Sequence, residues 1–251
     1  MSFSVTYLRI ELLRQLRDGF TLAFTLALPA VMYLIFGAGA EWGAIRIGSG
    51  NVAFSVMVSM GAYGCVTAMT SLTASSAAES AQGWGRQLAM TPLGNGGYTL
   101  TKVLVALSYS VLSIVVVYLI GAFTGAEVDD TWRWFACAGI TLGLGSIYGL
   151  YGLAVGLIFK SDTATGLASA LLTFFAFFGN VFMPLSGVML TIAHYTPLYG
   201  VVALARWPLT AGAVDETLTD PLWQPVLNVV VWAVIFLFLA LWGVKRTRSR
   251  K

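Results

Sequence analysis

Few residues of this sequence could carry out chemistry by themselves. The single histidine, His194, has no cluster of ligand-type residues around it, and the two cysteines, Cys65 and Cys137, lie inside apolar runs. Zinc, haem and iron–sulfur sites need such clusters, so we expect no metal site and no catalytic role for His194. Residues 159–161 come nearest to a phosphate-binding loop but lack the glycine before the lysine. The chain is therefore expected not to bind ATP itself and not to be an enzyme.

The most informative polar stretch is residues 76–97. It contains Glu79, Gly83, Arg86, Leu88, Thr91 and Pro92. The residue before a proline disfavours helical geometry, so a short helix is predicted from about Ser76 to about Met90. Three glycines and an asparagine at 94–97 then predict a sharp turn. A short helix between two hinges is suited to docking onto a cytoplasmic protein, and an ordinary connecting loop is the alternative.

The composition indicates what kind of protein holds this segment. Of the 251 residues, 58% are apolar and 10% are charged, whereas soluble domains have about 25% charged residues. The mean hydropathy of +0.82 agrees with this contrast. These values indicate a membrane protein and exclude disordered, fibrous and nucleic-acid-binding classes.

Six charge-free runs are long enough to cross a bilayer as helices, since about 20 residues suffice. They cover residues 20–40, 47–78, 103–126, 134–159, 163–205 and 221–244. The fifth run could hold two spans, but Pro184, Gly187, Pro197 and Gly200 would interrupt the second. We therefore predict one span followed by a re-entrant segment at 183–207, which dips into the outer interface and returns.

The distribution of basic residues supports six spans. With both termini in the cytoplasm, 11 of the 14 Lys and Arg residues lie inside, which follows the positive-inside rule. Seven spans would place the basic residues at 245–251 outside. The predicted fold is an all-α membrane protein with six transmembrane helices and both termini cytoplasmic.

Residues 1–19 predict an amphipathic helix at the membrane surface, ahead of a single domain at 20–251. One helical side carries Leu8, Leu12, Leu13 and Leu16, and Arg9, Arg14, Gln15 and Arg17 lie largely elsewhere. Basic residues of such a helix favour anionic lipid headgroups. A solvated basic leader is the alternative. The run at 20–40 exceeds the roughly 7–15 apolar residues of a cleavable signal peptide, so we expect it to be retained.

Two further patterns lie within the spans. The fourth run repeats small residues that allow close helix approach, at Gly139, Gly143, Gly145, Gly149, Gly152 and Gly156. Packing within the chain or contact between subunits would explain them. In the fifth run, Phe174, Phe178 and Asn180 are candidates for an apolar substrate path, and packing or lipid contact is the alternative. Because no ionisable residue is expected deep in a span, coupling to a proton gradient has no relay.

The polar segment resembles a known family. Glu79-x-x-x-Gly83, followed by Leu88-x-x-Thr91-Pro92-Leu93 and by Lys102 at the start of the next run, is similar to the coupling segment of ABC-2-type ABC exporter permeases. The N-terminal helix resembles the family's elbow helix, and residues 184–212 resemble its re-entrant segment. The sequence departs from the family pattern at Ser80, which replaces an arginine, and at residues 84–85.

The resemblance implies the membrane subunit of an ATP-driven exporter in the bacterial inner membrane. Its partners would be a second permease copy or a paralogue, and two ABC ATPase subunits that bind ATP and Mg. Residues 79–92 would couple to those ATPases. A hydrophobic or amphipathic substrate, such as a drug, an antibiotic or a lipid, would move outward. A secondary carrier or channel, and a non-transporting assembly or immunity protein, are the alternatives.

Overall fold

The computed structural model describes residues 4–80, 94–159, 163–182, 185–213 and 219–248. In these ranges the chain is almost entirely helical, with one short hairpin formed by β1 (Arg46–Ile47) and β2 (Gly50–Asn51). The predicted class, an all-α membrane protein, is thus confirmed.

The chain begins with α1 (Val5–Leu16). A broken helical stretch follows, made of α2 (Gly19–Leu22), a π-helical turn (Ala23–Ala27), α3 (Leu28–Tyr33) and a second π-helical turn (Leu34–Ala38). A 3-10 turn at Glu41–Ala44 leads into the hairpin. The remaining helices are α4 (Val52–Glu79), α5 (Gly94–Phe123), α6 (Trp132–Gly145), α7 (Tyr148–Phe159), α8 (Thr163–Phe178), α9 (Gly187–Ala193), α10 (Pro197–Thr210) and α11 (Trp223–Arg248).

Helix α4 forms the centre of the bundle and is almost completely buried, with α3, α5, α6, α7, α8 and α10 packed around it. Its first turn is fixed by Asn51, whose Oδ1 accepts from the backbone N–H of Phe54 at 2.9 Å and of Glu127 at 3.1 Å. An N-cap side chain satisfies a donor that the helix cannot. Helix α11 instead exposes a long apolar face, as a lipid-facing helix would.

Among the described residues, four helical stretches are long and apolar enough to cross a membrane. They are Val52–Glu79, Gly97–Phe123, Trp132–Phe159 and Trp223–Arg246. The pair α9 and α10, bent by 97°, makes a fifth if it counts as one span. Shorter apolar helices at Ala23–Ala38 and Thr163–Phe178 fall in the first and fifth predicted runs. The count of six spans stays a prediction.

Two details of the predicted docking segment are wrong. Helix α4 continues through Ser76 to Glu79, so no new helix begins near Ser76. Helix α5 begins at Gly94, so residues 94–97 form its first turn and not a sharp reversal. The rest of the predicted docking helix, with Gly83, Arg86, Leu88, Thr91 and Pro92, lies outside the described residues.

The predicted re-entrant segment contains a sharp bend between α9 and α10. The bend is held by Asn228 of α11, whose Nδ2 donates to the carbonyl oxygens of His194 at 2.8 Å and Thr196 at 2.9 Å. Its Oδ1 accepts from the backbone N–H of Gly200 at 3.2 Å. One buried amide therefore fixes both sides of the bend. That this segment re-enters the membrane and does not cross it stays a prediction.

Cysteine labelling in intact cells would test the topology. Thr131, between α5 and α6, is exposed, and so is Lys245 near the end of α11. Six spans with cytoplasmic termini predict that Thr131→Cys reacts with an impermeant thiol reagent and Lys245→Cys does not. The native Cys65 and Cys137 are buried, so the background should be low. Labelling of Lys245→Cys from outside would contradict the six-span arrangement.

The six small residues of the fourth run divide into two groups. At Gly145, Gly149, Gly152 and Gly156 an added Cβ would meet atoms of α4. At Gly156, for example, it would lie 2.5 Å from the carbonyl oxygen of Ala74 and 2.8 Å from the Cβ of Ala77. At Gly139 and Gly143 nothing lies within 4 Å of the added atom. Close packing within the chain therefore explains the first group and not Gly139 or Gly143.

This division predicts different outcomes for the same substitution. Gly156→Ala should lower the melting temperature of the purified protein, since backbone atoms of α4 would have to move, and overpacking costs about 1–3 kcal/mol. Gly143→Ala is the matched control in the same run, and should leave the melting temperature unchanged or raise it slightly, because alanine favours helix. Equal effects at the two positions would contradict the packing.

Candidate functional site

A cluster of four charged side chains lies where α1 meets the end of α4 and the beginning of α5. Lys102, about two turns into α5, places its Nζ 2.8 Å from Oε2 of Glu11 and 2.8 Å from Oε2 of Glu79. The side chains of Lys102 and Glu11 are only 7% and 6% exposed. One buried cation thus joins the N-terminal helix to the last residue of the central helix. We call these residues, with Arg14, the charge cluster.

Arg14 completes the charge cluster from the exposed side of α1. Its guanidinium lies 2.7 Å from Oε1 of Glu79 and 3.5 Å from Oε1 of Glu11. The hydrogen bond to Glu79 raises the pKa of Arg14, so this residue stays charged. The two cations, Arg14 and Lys102, thus alternate with the two carboxylates, so that each charge lies beside charges of opposite sign. Buried charges are tolerated only when they are paired and hydrogen-bonded in this way.

Two tyrosines cover the charge cluster. Tyr98 of α5 donates its hydroxyl to Oε2 of Glu79 at 3.0 Å and lies near the carbonyl oxygen of Ser76 at 3.3 Å. Tyr7 of α1 stacks beside Tyr98, with ring centroids 6.5 Å apart. Burial, and then the charge of Glu11, raises the pKa of Tyr7. Tyr7 therefore stays neutral beside the two carboxylates of the charge cluster.

The cluster fixes the two ends of the predicted docking segment. Glu79 is the last residue of α4, and Tyr98 and Lys102 belong to the first turns of α5. A carboxylate at a helix C-terminus is unfavourable against the helix dipole. Lys102 and Arg14 compensate for this at Glu79. The charge cluster therefore joins α1 to the two helices on either side of residues 81–93.

Sequence reasoning missed Glu11 altogether. The sequence predicts that the leucines of α1 share one side, and Leu8 and Leu12 do pack against the core. Leu13 and Leu16, however, are 44% and 47% exposed, and the fully buried positions of α1 are polar. They are Glu11 and Gln15. The sequence does contain a clue to their burial. Glu11 and Gln15 are four residues apart, so they form a polar stripe beside Leu8 and Leu12 on the helix surface.

The substrate-path candidates occupy two different environments. Phe174 is 56% exposed, and its ring lies 4.7 Å from that of Phe178 on the same side of α8. Asn180 is buried, and adopts a positive φ of 58° in the turn after α8. Its carbonyl oxygen accepts from Arg206 at 2.5 Å and its Oδ1 accepts from the N–H of Leu185 at 3.0 Å. The structure thus brings Phe174 and Phe178 together but places Asn180 in a structural turn.

These observations define the class of the protein. Its described residues form a bundle of apolar helices with a charged junction at one end, and they contain no group of three or more His, Cys, Asp or Glu residues that could hold a metal. This is a polytopic α-helical membrane protein.

Comparison with known proteins then gives the family. The sequence profile of the ABC-2 type transporter family matches residues 5–208, so the chain belongs to that family. It is also similar to a Bacillus subtilis (strain 168) protein described as "Putative transport permease YvfS", with 26% identity over 242 residues and 92% of each chain covered. The resemblance inferred from the sequence is confirmed. The chain is the membrane subunit of a transporter, and membership implies association with ABC ATPase partners.

Proposed function

We propose that this chain is the permease subunit of an ATP-driven exporter that moves a hydrophobic or amphipathic substrate outward. ATP and Mg would be bound by two separate ATPase subunits, and a second permease copy or a paralogue would complete the transporter. The charge cluster carries this proposal. It joins both ends of the predicted docking segment to the N-terminal helix and to the most buried helix of the bundle.

The geometry supports a mechanical route from an ATPase to the membrane. A force on residues 81–93 would reach α4 through Glu79 and α5 through Lys102, and both are held to α1 by ion pairs of 2.7–2.8 Å. Charge-assisted bonds of this length are about twice as strong as neutral ones. Helix α4 contacts most other helices, so its displacement would rearrange the whole bundle.

The chemistry of the substrate follows from the surfaces that the bundle offers. Phe174 presents an exposed aromatic ring that packs against the half-buried ring of Phe178, and Phe177 beside them is 57% exposed. Such an apolar surface suits a hydrophobic or amphipathic compound, such as a drug, an antibiotic or a lipid. Localisation in the bacterial inner membrane with both termini cytoplasmic belongs to the same proposal.

Co-purification and ATP hydrolysis test this function. The chain should hydrolyse no ATP alone, and should retain an ABC ATPase encoded by a neighbouring gene when both are expressed. The complex in nanodiscs should hydrolyse ATP, and hydrophobic compounds should change its rate. Failure to retain any ATPase, together with proton-coupled uptake by the chain alone, would contradict the proposal and favour a secondary carrier.

A further inference from the structure

The bend between α9 and α10 carries a second cluster, at the opposite end of the bundle from the charge cluster. His194, at the C-terminal end of α9, places its Nε2 3.1 Å from Oδ2 of Asp220 and 3.1 Å from the hydroxyl oxygen of Tyr199. The Tyr199 hydroxyl donates to the same carboxylate oxygen. The side chains of His194 and Asp220 are only 18% and 12% exposed.

This cluster joins three consecutive elements of the chain. His194 belongs to the bend, Tyr199 to α10, and Asp220 to the segment that leads into α11. Asp220 is itself held by its backbone N–H, which donates to the carbonyl oxygen of Gly212 at 2.8 Å. The His194 and Tyr199 rings pack edge to face with centroids 4.6 Å apart. The side-chain contacts therefore supplement the backbone contacts that Asn228 makes to the same bend.

We propose that His194, Asp220 and Tyr199 form a proton-sensitive clasp that holds the bent α9–α10 segment to the start of α11. Histidine is the side chain whose charge normally changes between pH 5 and 8. A protonated imidazole beside Asp220 forms a charge-assisted bond, which is stronger than the bond of the neutral ring. Acidification should therefore tighten the clasp, and the added stability should be lost as pH rises and the imidazole loses its proton.

The titratable side chains that contact His194 come from α10 and from the segment before α11. Helix α9 contains no charged residue. Among the described residues, Asp220 and Tyr199 are the titratable side chains in hydrogen-bonding contact with the imidazole. Helix α11 contributes uncharged contacts, from Asn228 and from Trp232, whose Nε1 donates to the carbonyl oxygen of Tyr195 at 3.1 Å. Carboxylates and tyrosines normally titrate outside pH 5.5–8.

Amide hydrogen exchange of the full chain in nanodiscs tests the clasp without requiring transport. After correction for the intrinsic pH dependence of exchange, amides of residues 187–210 should be about three- to tenfold better protected at pH 5.5 than at pH 8. Amides of α4 should not change. His194→Gln, which keeps a hydrogen-bonding side chain but cannot become charged, should abolish the difference.

A second variant keeps the test decisive. Asp220→Asn removes the charge that the imidazolium would meet, and should also abolish the difference. Asp129→Asn is the control, since its carboxylate pairs with Arg46 at 2.7 Å in another loop. It should retain the wild-type response. The clasp is refuted if wild type shows no difference in protection, or if His194→Gln or Asp220→Asn retains it.

Discussion

Replacing Lys102 by methionine is expected to lower the melting temperature of the purified protein by roughly 6–20 °C, by the scaling for soluble proteins of this size. Methionine keeps the volume of the side chain but leaves Glu11 buried without its 2.8 Å partner. Removing one member of a buried ion pair costs about 3–5 kcal/mol, because the remaining charge is uncompensated. Thermal unfolding followed by intrinsic fluorescence would measure the change.

Two variants make this result specific to the charge cluster. Lys245→Met removes an exposed lysine near the end of α11 and should change the melting temperature by less than about 2 °C. Adding Glu11→Gln to Lys102→Met should restore part of the loss, since the buried carboxylate, which keeps only its 3.5 Å contact to Arg14, is then neutral. A Lys102→Met protein that melts like Lys245→Met would show that the ion pairs contribute no stability.

Gly83→Pro is expected to abolish stimulation of ATP hydrolysis by transported compounds, while insertion into the membrane is kept. A proline inside the predicted docking helix costs about 3 kcal/mol or more and would break it. Gly83→Ala is the matched control, because alanine favours the helix and should preserve stimulation. ATPase co-purification and compound-stimulated hydrolysis measure the effect. Normal coupling in Gly83→Pro would exclude residues 76–97 as the docking segment.

The sequence predicted the helices well because their signals are local. Apolar runs of about 20 residues and the proline and glycine breaks place most helices within a few residues of their observed positions. The exceptions were α5, which begins at Gly94, and α4, which extends to Glu79. Helix α4 continues through small and polar residues because its neighbours in the bundle bury Ser76, Ala77 and Ala78.

The charge cluster could be predicted only in part, because its contacts are distant in sequence. The family resemblance points to Glu79 and Lys102, but Glu11 lies 91 residues from Lys102. A lone acidic residue in an amphipathic helix normally indicates a solvated face. Its burial depends on where α1 packs, which periodicity does not determine. The glycines of the fourth run show the same limit of sequence patterns. Gly143 and Gly156 belong to the same kind of repeat, but an added Cβ would meet other atoms at Gly156 and open space at Gly143.

Transport by reconstituted complexes tests the central proposal most directly. The permease and its co-purified ATPase would be placed in vesicles with the ATPase outside, and uptake of a stimulating hydrophobic compound would be followed. We expect accumulation that requires ATP and Mg, that does not require a proton gradient, and that is lost in Gly83→Pro. Accumulation without ATP that follows an imposed proton gradient would contradict an ATP-driven exporter.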